Sequence, residues 1–370
     1  MYEIVSYRSE LKREVARLQR HLWGGDEAVN TAYFEWKYEQ NPYLPDPFLC
    51  LALSEGQVVG MRGMFGSCWE IGPDATRFVV PCGDDLVIAP DHRHRGLFGR
   101  IMDATVAELA RHKYPVTFSL SAGVVALAGS LARGWRSVGS VREVSRGAGA
   151  PSLPWRLARR VRGWPGARRL ARLASRVGSD PFRHLDTMAR RLPAGPAVWC
   201  TAEPRPEAMA DLVHRLGHDS RIRHVRDARY LAWRFANPLH DYRFLLAGDD
   251  RLEGYLVLQT YRLVGRGRVN VVDWEASGPD VRRALLGAAI DWGRFAGLST
   301  WTMGLPREVE VLLGESGFLP VARHPLMPQG TAVLVRAVTR SPGESGPALG
   351  GRRLLDAANW DMRMLYSMAG

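Results

Sequence analysis

Apolar and polar residues follow one another along this chain in a pattern that occurs twice. In the first half, residues 48–53 are apolar, Ser54-Glu55-Gly56-Gln57 reads as a turn, and residues 58–65 are apolar again. In the second half, residues 242–247, a Gly248-Asp249-Asp250-Arg251 turn and residues 252–261 do the same. Apolar and β-branched runs around a polar turn containing Gly predict a hairpin in each half. A third strand is expected at 79–89 and 268–275, then a helix at 96–112 and 280–296. In the first of these helices Leu97, Ile101, Met102, Thr105 and Leu109 fall on one face, at spacings of three and four. A further strand follows at 116–121 and 299–303. Each copy then has a short helix running into small residues and an aromatic, Leu131-Ala132-Arg133-Gly134-Trp135 and Leu313-Gly314-Glu315-Ser316-Gly317-Phe318.

An aromatic motif precedes each hairpin. Tyr33-Phe34-Glu35-Trp36-Lys37-Tyr38 has Asn41-Pro42 beyond it, and Tyr230-Leu231-Ala232-Trp233-Arg234-Phe235 has Asn237-Pro238. Aromatics at such spacing are core in the first instance, with a sugar-stacking platform at Trp36 and Trp233 as the alternative. Equivalent positions lie 183 to 197 residues apart. Solenoid repeats are about 20–50 residues long, so this period means a duplicated domain.

Length agrees, since 370 residues suit two domains. With 46% hydrophobic and 24% charged residues, each half can bury a core. No apolar run approaches the ~20 residues that span a bilayer, and residues 1–6 do not open a secretory signal. Cys50, Cys68, Cys82 and Cys200 lie far apart, which favours reduced thiols in a cytoplasm. The net charge of +12 is concentrated: residues 151–192 hold eleven arginines against Asp180 and Asp186. Its basic amphipathic stretches at 153–177 suit packing on the flanking domains or peripheral contact with an anionic membrane, at its inner face. Nucleic acid is not expected, because no basic stacking surface is evident on a domain. The expected division is 1–147, a connector at 148–194, a second domain at 195–340, and 341–370 as a linker and an apolar C-terminal helix bearing Trp360, Met364 and Leu365.

The chemistry concentrates in Leu86-Val87-Ile88-Ala89-Pro90-Asp91-His92-Arg93-His94-Arg95-Gly96-Leu97-Phe98-Gly99, a strand, a sharp polar turn and a helix start. A helix start offers unpaired N–H groups and the positive end of the helix dipole. Gly96 and Gly99 remove side chains where an anion would approach, while Arg93 and Arg95 add donors. The arrangement suits a pyrophosphate. It is neither a Walker A loop nor G-x-G-x-x-G. His92 and His94 stand in a basic turn with no third ligand near, so no metal is expected.

These residues resemble the GCN5-related N-acetyltransferase superfamily, whose pyrophosphate loop reads Gln/Arg-x-x-Gly-x-Gly/Ala. Arg93-His94-Arg95-Gly96-Leu97-Phe98 matches the first and fourth positions and departs at the sixth, where Phe98 replaces Gly or Ala. Leu131 to Trp135 resembles the superfamily's later leucine–glycine–aromatic motif. The resemblance covers residues 1–147 and, more weakly, 195–340. It implies a mixed α/β (α+β) fold with two tandem domains, each a mixed, largely antiparallel sheet flanked by helices. It implies acyl transfer from acetyl-CoA or a longer acyl-CoA to a primary amine, on an amino sugar or related metabolite.

On that reading Leu86, Val87, Ile88, Arg93, His94, Arg95, Gly96, Leu97, Phe98 and Gly99 hold the donor, and backbone N–H groups near Val87 and Ile88 polarise the thioester. Asp84 and Asp85 are the candidate bases, with a solvated turn pair as the alternative. Ser130 stands where many family members have a tyrosine acid. The second copy has no basic-x-x-Gly run between Asp273 and its helix, so the donor site is expected in the first. Two other readings are a Fem-like transferase using aminoacyl-tRNA, which the Arg93–Gly99 loop argues against, and a non-catalytic acyl-CoA or ligand-binding module.

Overall fold

A computed structural model describes residues 1–147, 181–182, 185, 189–190, 197–248, 251–262, 268–293, 295–321, 331–339 and 346–368. The basic stretch at 153–177, with the membrane contact expected of it, lies outside the described residues. The chain forms a mixed α+β fold with two mixed sheets, both flanked by helices.

In the first half the strands are β1 (Tyr2–Ser6), β2 (Phe48–Ser54), β3 (Gln57–Ile71), β4 (Thr76–Ile88), β5 (Val116–Ala122), β6 (Arg136–Ser140) and β7 (Glu143–Gly147). The helices are α1 (Lys12–Leu18), α2 (Arg20–Trp23), α3 (Glu27–Phe34), α4 (Leu97–Arg111) and α5 (Val124–Leu131). Asp26 caps α3, accepting from the N–H groups of Ala28 and Val29. The second half has strands β8 (Ala189–Arg190), β9 (Val198–Thr201), β10 (Arg223–His224), β11 (His240–Ala247), β12 (Gly254–Tyr261), β13 (Arg268–Ala276), β14 (Gly297–Trp301), β15 (Leu319–Pro320) and β16 (Ala332–Ala337). Its helices are α6 (Pro206–Leu216), α7 (Ala228–Phe235), α8 (Pro279–Trp292) and α9 (Arg307–Glu315).

The two sheets exchange strands. The first runs β1-β2-β3-β4-β5-β16-β6, with β10 on β3, and the second β15-β7-β14-β13-β12-β11-β9-β8. Thus residues 332–337 of the second half sit between β5 and β6, while residues 143–147 of the first sit between β14 and β15. Sheet membership therefore crosses the division expected at the connector. The strand pattern reads the local run correctly and is blind to which sheet a run completes. Most pairs are antiparallel; β4–β5 and β13–β14 are parallel.

The aromatic motifs meet face to face. Trp36 and Trp233 stack with centroids 4.8 Å apart and planes 9° from parallel. Trp36 Nε1–H donates to the Trp233 carbonyl at 2.6 Å, and Trp233 Nε1–H to the Trp36 carbonyl at 2.7 Å. The two indoles lie in the core shared by both halves. Each buried indole N–H is thereby satisfied by the opposite copy.

The C-terminal segment corrects one expectation. Residues 351–368 form no α-helix; they run largely extended, with short 3-10 turns at Ala357–Asn359 and Met364–Tyr366. Apolar content signalled burial, and the segment is buried, but between the sheets. Trp360 packs edge-on against Trp69 and Phe118, and the N–H of Ile222 donates to the Asn359 carbonyl at 2.6 Å. With its backbone bonding to neighbouring strands, no helix is needed to satisfy it. Among the described residues no helix is long and apolar enough to cross a membrane.

Candidate active site

Strand β4 is bonded to β3 on one side along most of its length. On the other side it meets β5 at one pair, Cys82 with Phe118, so the strands splay from there to Ile88. Backbone groups that alternate along this stretch face the opening. A cavity of about 700 Å³ occupies it, with Leu86, Val87 and Ile88 as one wall and Ala126 and Gly129 of α5 as another. Leu22 and His21 of α2 also border it.

At one end the cavity meets the turn between β4 and α4, where Arg93, His94, Gly96, Leu97 and Phe98 contribute. His94 and Gly96 are left-handed, with φ of 61° and 74°. Gly96 precedes the first residue of α4, no side chain caps that helix, and a Cβ on Gly96 would meet no atom within 4 Å. The first-turn amides of α4 thus start a fifteen-residue helix in open space. The turn is braced from outside. Arg93 Nε–H donates to the Ile88 carbonyl at 3.1 Å, and Arg95 donates to the Tyr2 hydroxyl at 3.2 Å. That hydroxyl is also 2.9 Å from His92 Nδ1.

Of the residues expected to hold a donor, eight border the cavity. Arg95 and Gly99 do not. Gly99 is buried, and a Cβ there would strike the Arg133 guanidinium, which is paired with Asp103. Phe98 has a matching hollow: its ring lies where a Cβ on Gly129 would be, so the glycine makes room for the bulky sixth loop residue. Ser130 is buried beside Gly129, and its carbonyl accepts from the N–H groups of Arg133 and Trp135.

Asp84 and Asp85 do not form a solvated turn. Asp85 has φ of 47°, and the β3–β4 register shifts between Met61 and Gly63, so two residues of β4 oppose Arg62. This bulge breaks the alternation of side chains and puts both carboxylates on the side of α1 and α3. Lys37 Nζ lies 2.8 Å from Asp84 Oδ2 and 3.0 Å from Asp85 Oδ1. Tyr38 donates to Asp85 Oδ2 at 2.7 Å and Gln19 Nε2 at 3.3 Å. Burial raises the Asp85 carboxyl above its ordinary value, outweighing the pull of Lys37. Burial also lowers Lys37, but Asp84 and Asp85 outweigh it and hold the ammonium above the usual lysine value. Asp85 and Lys37 are fully enclosed, while 19% of the Asp84 side chain stays exposed.

No protein-family model matches the chain, and no curated protein matches it. Solved structures do. A GCN5-related N-acetyltransferase from Anabaena variabilis is similar over 92% of this chain and 73% of its own, with a TM-score of 0.57 at 14% identity. A conserved protein of unknown function from Enterococcus faecalis, described as a probable N-acyltransferase, is similar over 91% and 73%, with a TM-score of 0.57 at 13% identity. The fold is that of the GCN5-related N-acetyltransferases, built twice.

The second copy of that fold has a different splay. Only two residues, Ser277 and Gly278, join β13 to α8, against eight between β4 and α4. Arg363 of the C-terminal segment donates to the Trp274 carbonyl at 2.9 Å and to Glu275 Oε1 at 3.1 Å. Asp273, like Asp85 three residues before the end of its strand, is held at 3.0 Å by Arg226 and at 2.8 Å by the Tyr255 hydroxyl. Lys37, Tyr38 and Gln19 were not legible as site residues. The one signal for Lys37 and Tyr38 was a cation inside an aromatic motif.

Proposed function

We propose that this chain is an acyl-CoA-dependent N-acyltransferase that acylates a primary amine, with the donor in the first copy of the fold. The observation that carries this reading is one continuous opening, from the edge of β4 to the uncapped, left-handed start of α4. A pantetheine arm can bond to the free edge of β4 while the diphosphate meets the amides of Gly96 to Phe98 and the Arg93 side chain. Acetyl-CoA or a longer acyl-CoA is the donor class.

The amine nitrogen attacks the thioester carbonyl, a C–N bond forms, and the oxyanion is stabilised by backbone N–H groups near Val87 and Ile88. Asp84, the carboxylate of the pair that keeps solvent access, takes the proton the amine gives up. The C–S bond then breaks and coenzyme A leaves as a thiolate. Its ordinary pKa of about 8.5 lets it depart with a proton from water, which leaves Ser130 no obligatory role as acid.

Aromatic groups of both halves meet at the end of α2, where we place the acceptor. Trp23 stacks near Tyr261 at 6.4 Å, and the Trp23 Nε1 and His240 Nε2 atoms are buried without a partner. Unspent polar atoms beside flat rings suit a polyhydroxylated amine, which supports an amino sugar or related metabolite. Titration calorimetry with acetyl-CoA, followed by thiol release in the presence of amino sugars, tests the reading. Donor binding with turnover supports it, and an absence of acetyl-CoA binding overturns it.

A further inference from the structure

The aromatic motifs of the two halves are not the same length. Two residues, Glu39 and Gln40, separate Tyr38 from Asn41, and one, Ala236, separates Phe235 from Asn237, although both asparagines cap the same kind of turn. The extra residue of the first motif is taken up by a π turn over Glu35–Glu39, where the second motif ends as an ordinary α-helix. An inserted residue that widens a helix re-aims the side chains around it, and such turns cluster at functional sites.

The equivalent cations of the two motifs show what the insertion does. Arg234, the partner of Lys37 in the second copy, donates to the backbone carbonyls of Leu365 and Ser367 at 2.8 and 3.1 Å and to the Tyr242 hydroxyl at 2.5 Å. It anchors the C-terminal segment and, among the described residues, touches no carboxylate. Lys37 instead reaches Asp84, Asp85 and the Tyr33 hydroxyl, the last at 3.0 Å.

We propose that Lys37 is a positioning residue for acyl transfer: carried inward by the π turn, it holds the Asp84 and Asp85 carboxylates in place through Asp84 Oδ2 and Asp85 Oδ1 and leaves the other Asp84 oxygen to take the amine's proton. This rests on the acyltransferase reading above. Lys37 Nζ is bound to Asp84 through Oδ2, so Oδ1 is the oxygen left over. The proton passes from the amine nitrogen to that oxygen as the C–N bond forms, and Lys37 keeps its own proton throughout.

The surrounding charges make the pair dependent on Lys37. Facing the carboxylates are Lys37 from the π turn, Arg62 from β3, and the hydroxyls of Tyr33 and Tyr38. Tyr261 from β12 and the Cys82 thiol of β4 also lie within electrostatic reach of them, with Arg234 from α7 acting on Tyr261. Arg62 is itself buried, and Gly83 makes room for its guanidinium. Two cations thus offset two carboxylates, and with Lys37 gone two adjacent carboxylates share one cation. Such a pair holds a proton between them.

Carbon-13 labelling of the aspartate carboxyls, with Asp84→Asn and Asp85→Asn to assign the two signals, reads this directly. In Lys37→Met one carboxyl of the pair is expected to keep its proton at least one pH unit higher than in the wild type, while Lys37→Arg titrates near the wild type. Acetyl-CoA affinity should stay within about threefold in both. With glucosamine as probe amine, Lys37→Met should lower kcat at least about fivefold at one pH unit below its shifted carboxyl titration, leave the KM for acetyl-CoA unchanged, and recover as pH rises. Unmoved titration of the pair in Lys37→Met, or a loss of kcat equal at every pH, overturns the proposal. If the wild type fails to bind acetyl-CoA the donor reading falls, and if it binds but does not turn over glucosamine, the titration alone decides on Lys37. Should Lys37→Met fail to fold, Lys37→Arg decides: a carboxyl pair that titrates far from the wild type despite the retained charge contradicts the pinning.

Discussion

The same fold occurs twice in this chain, and the two copies differ where a donor would bind. In the first, eight residues lead from β4 to α4, the helix starts uncapped, and the splay is an open cavity. In the second, two residues make the same connection, and Arg363 ties the C-terminal segment to the free end of β13. The comparison teaches that the fold supplies a splayed strand pair in both copies, while loop length and the occupant of the splay decide whether a ligand can enter. Function follows the site and not the fold.

The occupied splay gives the largest expected effect. Arg363 is buried among Asp361, Glu275 and Asp273, and the depressed Asp361 carboxyl, near pH 2, reflects its Arg363 partner overcoming burial. Arg363→Met leaves those carboxylates short of a cation and should cost about 3–5 kcal/mol of unfolding free energy in urea titration. If the substitution is neutral, the second splay is not held shut by this contact.

The seam between the copies comes next. Trp36→Ala and Trp233→Ala should each cost about 3–5 kcal/mol. A double-mutant cycle between them should show coupling of about 1 kcal/mol or more, because each indole holds the other's backbone. Additive losses would mean the stacking is incidental.

A single kind of substitution then separates the two helix starts. Gly96→Asp forces a left-handed β-carbon residue and sets a carboxylate against the diphosphate, which should weaken acetyl-CoA roughly 100-fold by calorimetry. Gly278 is extended and its Cβ position is open, so Gly278→Asp places a good cap on α8. It should leave acetyl-CoA affinity unchanged and raise stability by a few tenths of a kcal/mol. Equal effects at both glycines would erase the distinction between the copies.

The remaining effect is a pH slope at the seam. His224 of β10 is buried, accepts the Cys68 N–H at Nε2 and donates from Nδ1 to the Val225 carbonyl, and burial lowers its pKa to about 3. The unfolded chain protonates this imidazole near pH 6.5. Its contribution is therefore fully present above pH 6.5 and is lost as pH falls toward 3, at about 1.4 kcal/mol per pH unit. Unfolding titrations of wild type and His224→Gln should differ in slope by one proton over that window.

Much of this was legible in the sequence. The strand–helix order of both copies and the loop from Arg93 to Phe98 follow from residue spacing, because periodicity and turn chemistry are local. The exchange of 143–147 and 332–337 between sheets was not, since a short apolar strand carries no mark of the sheet it completes. The C-terminal segment misled because its apolar residues record burial and say nothing of helical bonding. Lys37 was hidden for a third reason. A lysine among aromatics reads as a surface stem, and only the bulge at Asp85, a tertiary feature, shows where its charge is spent.

One copy of the fold is proposed to hold a donor and the other to exclude it. Calorimetric titration of the purified chain with acetyl-CoA, repeated on Gly96→Asp and Gly278→Asp, tests it most directly. The account predicts one molecule bound per chain, lost in Gly96→Asp and retained in Gly278→Asp. Two molecules per chain, or one that survives Gly96→Asp, would contradict it.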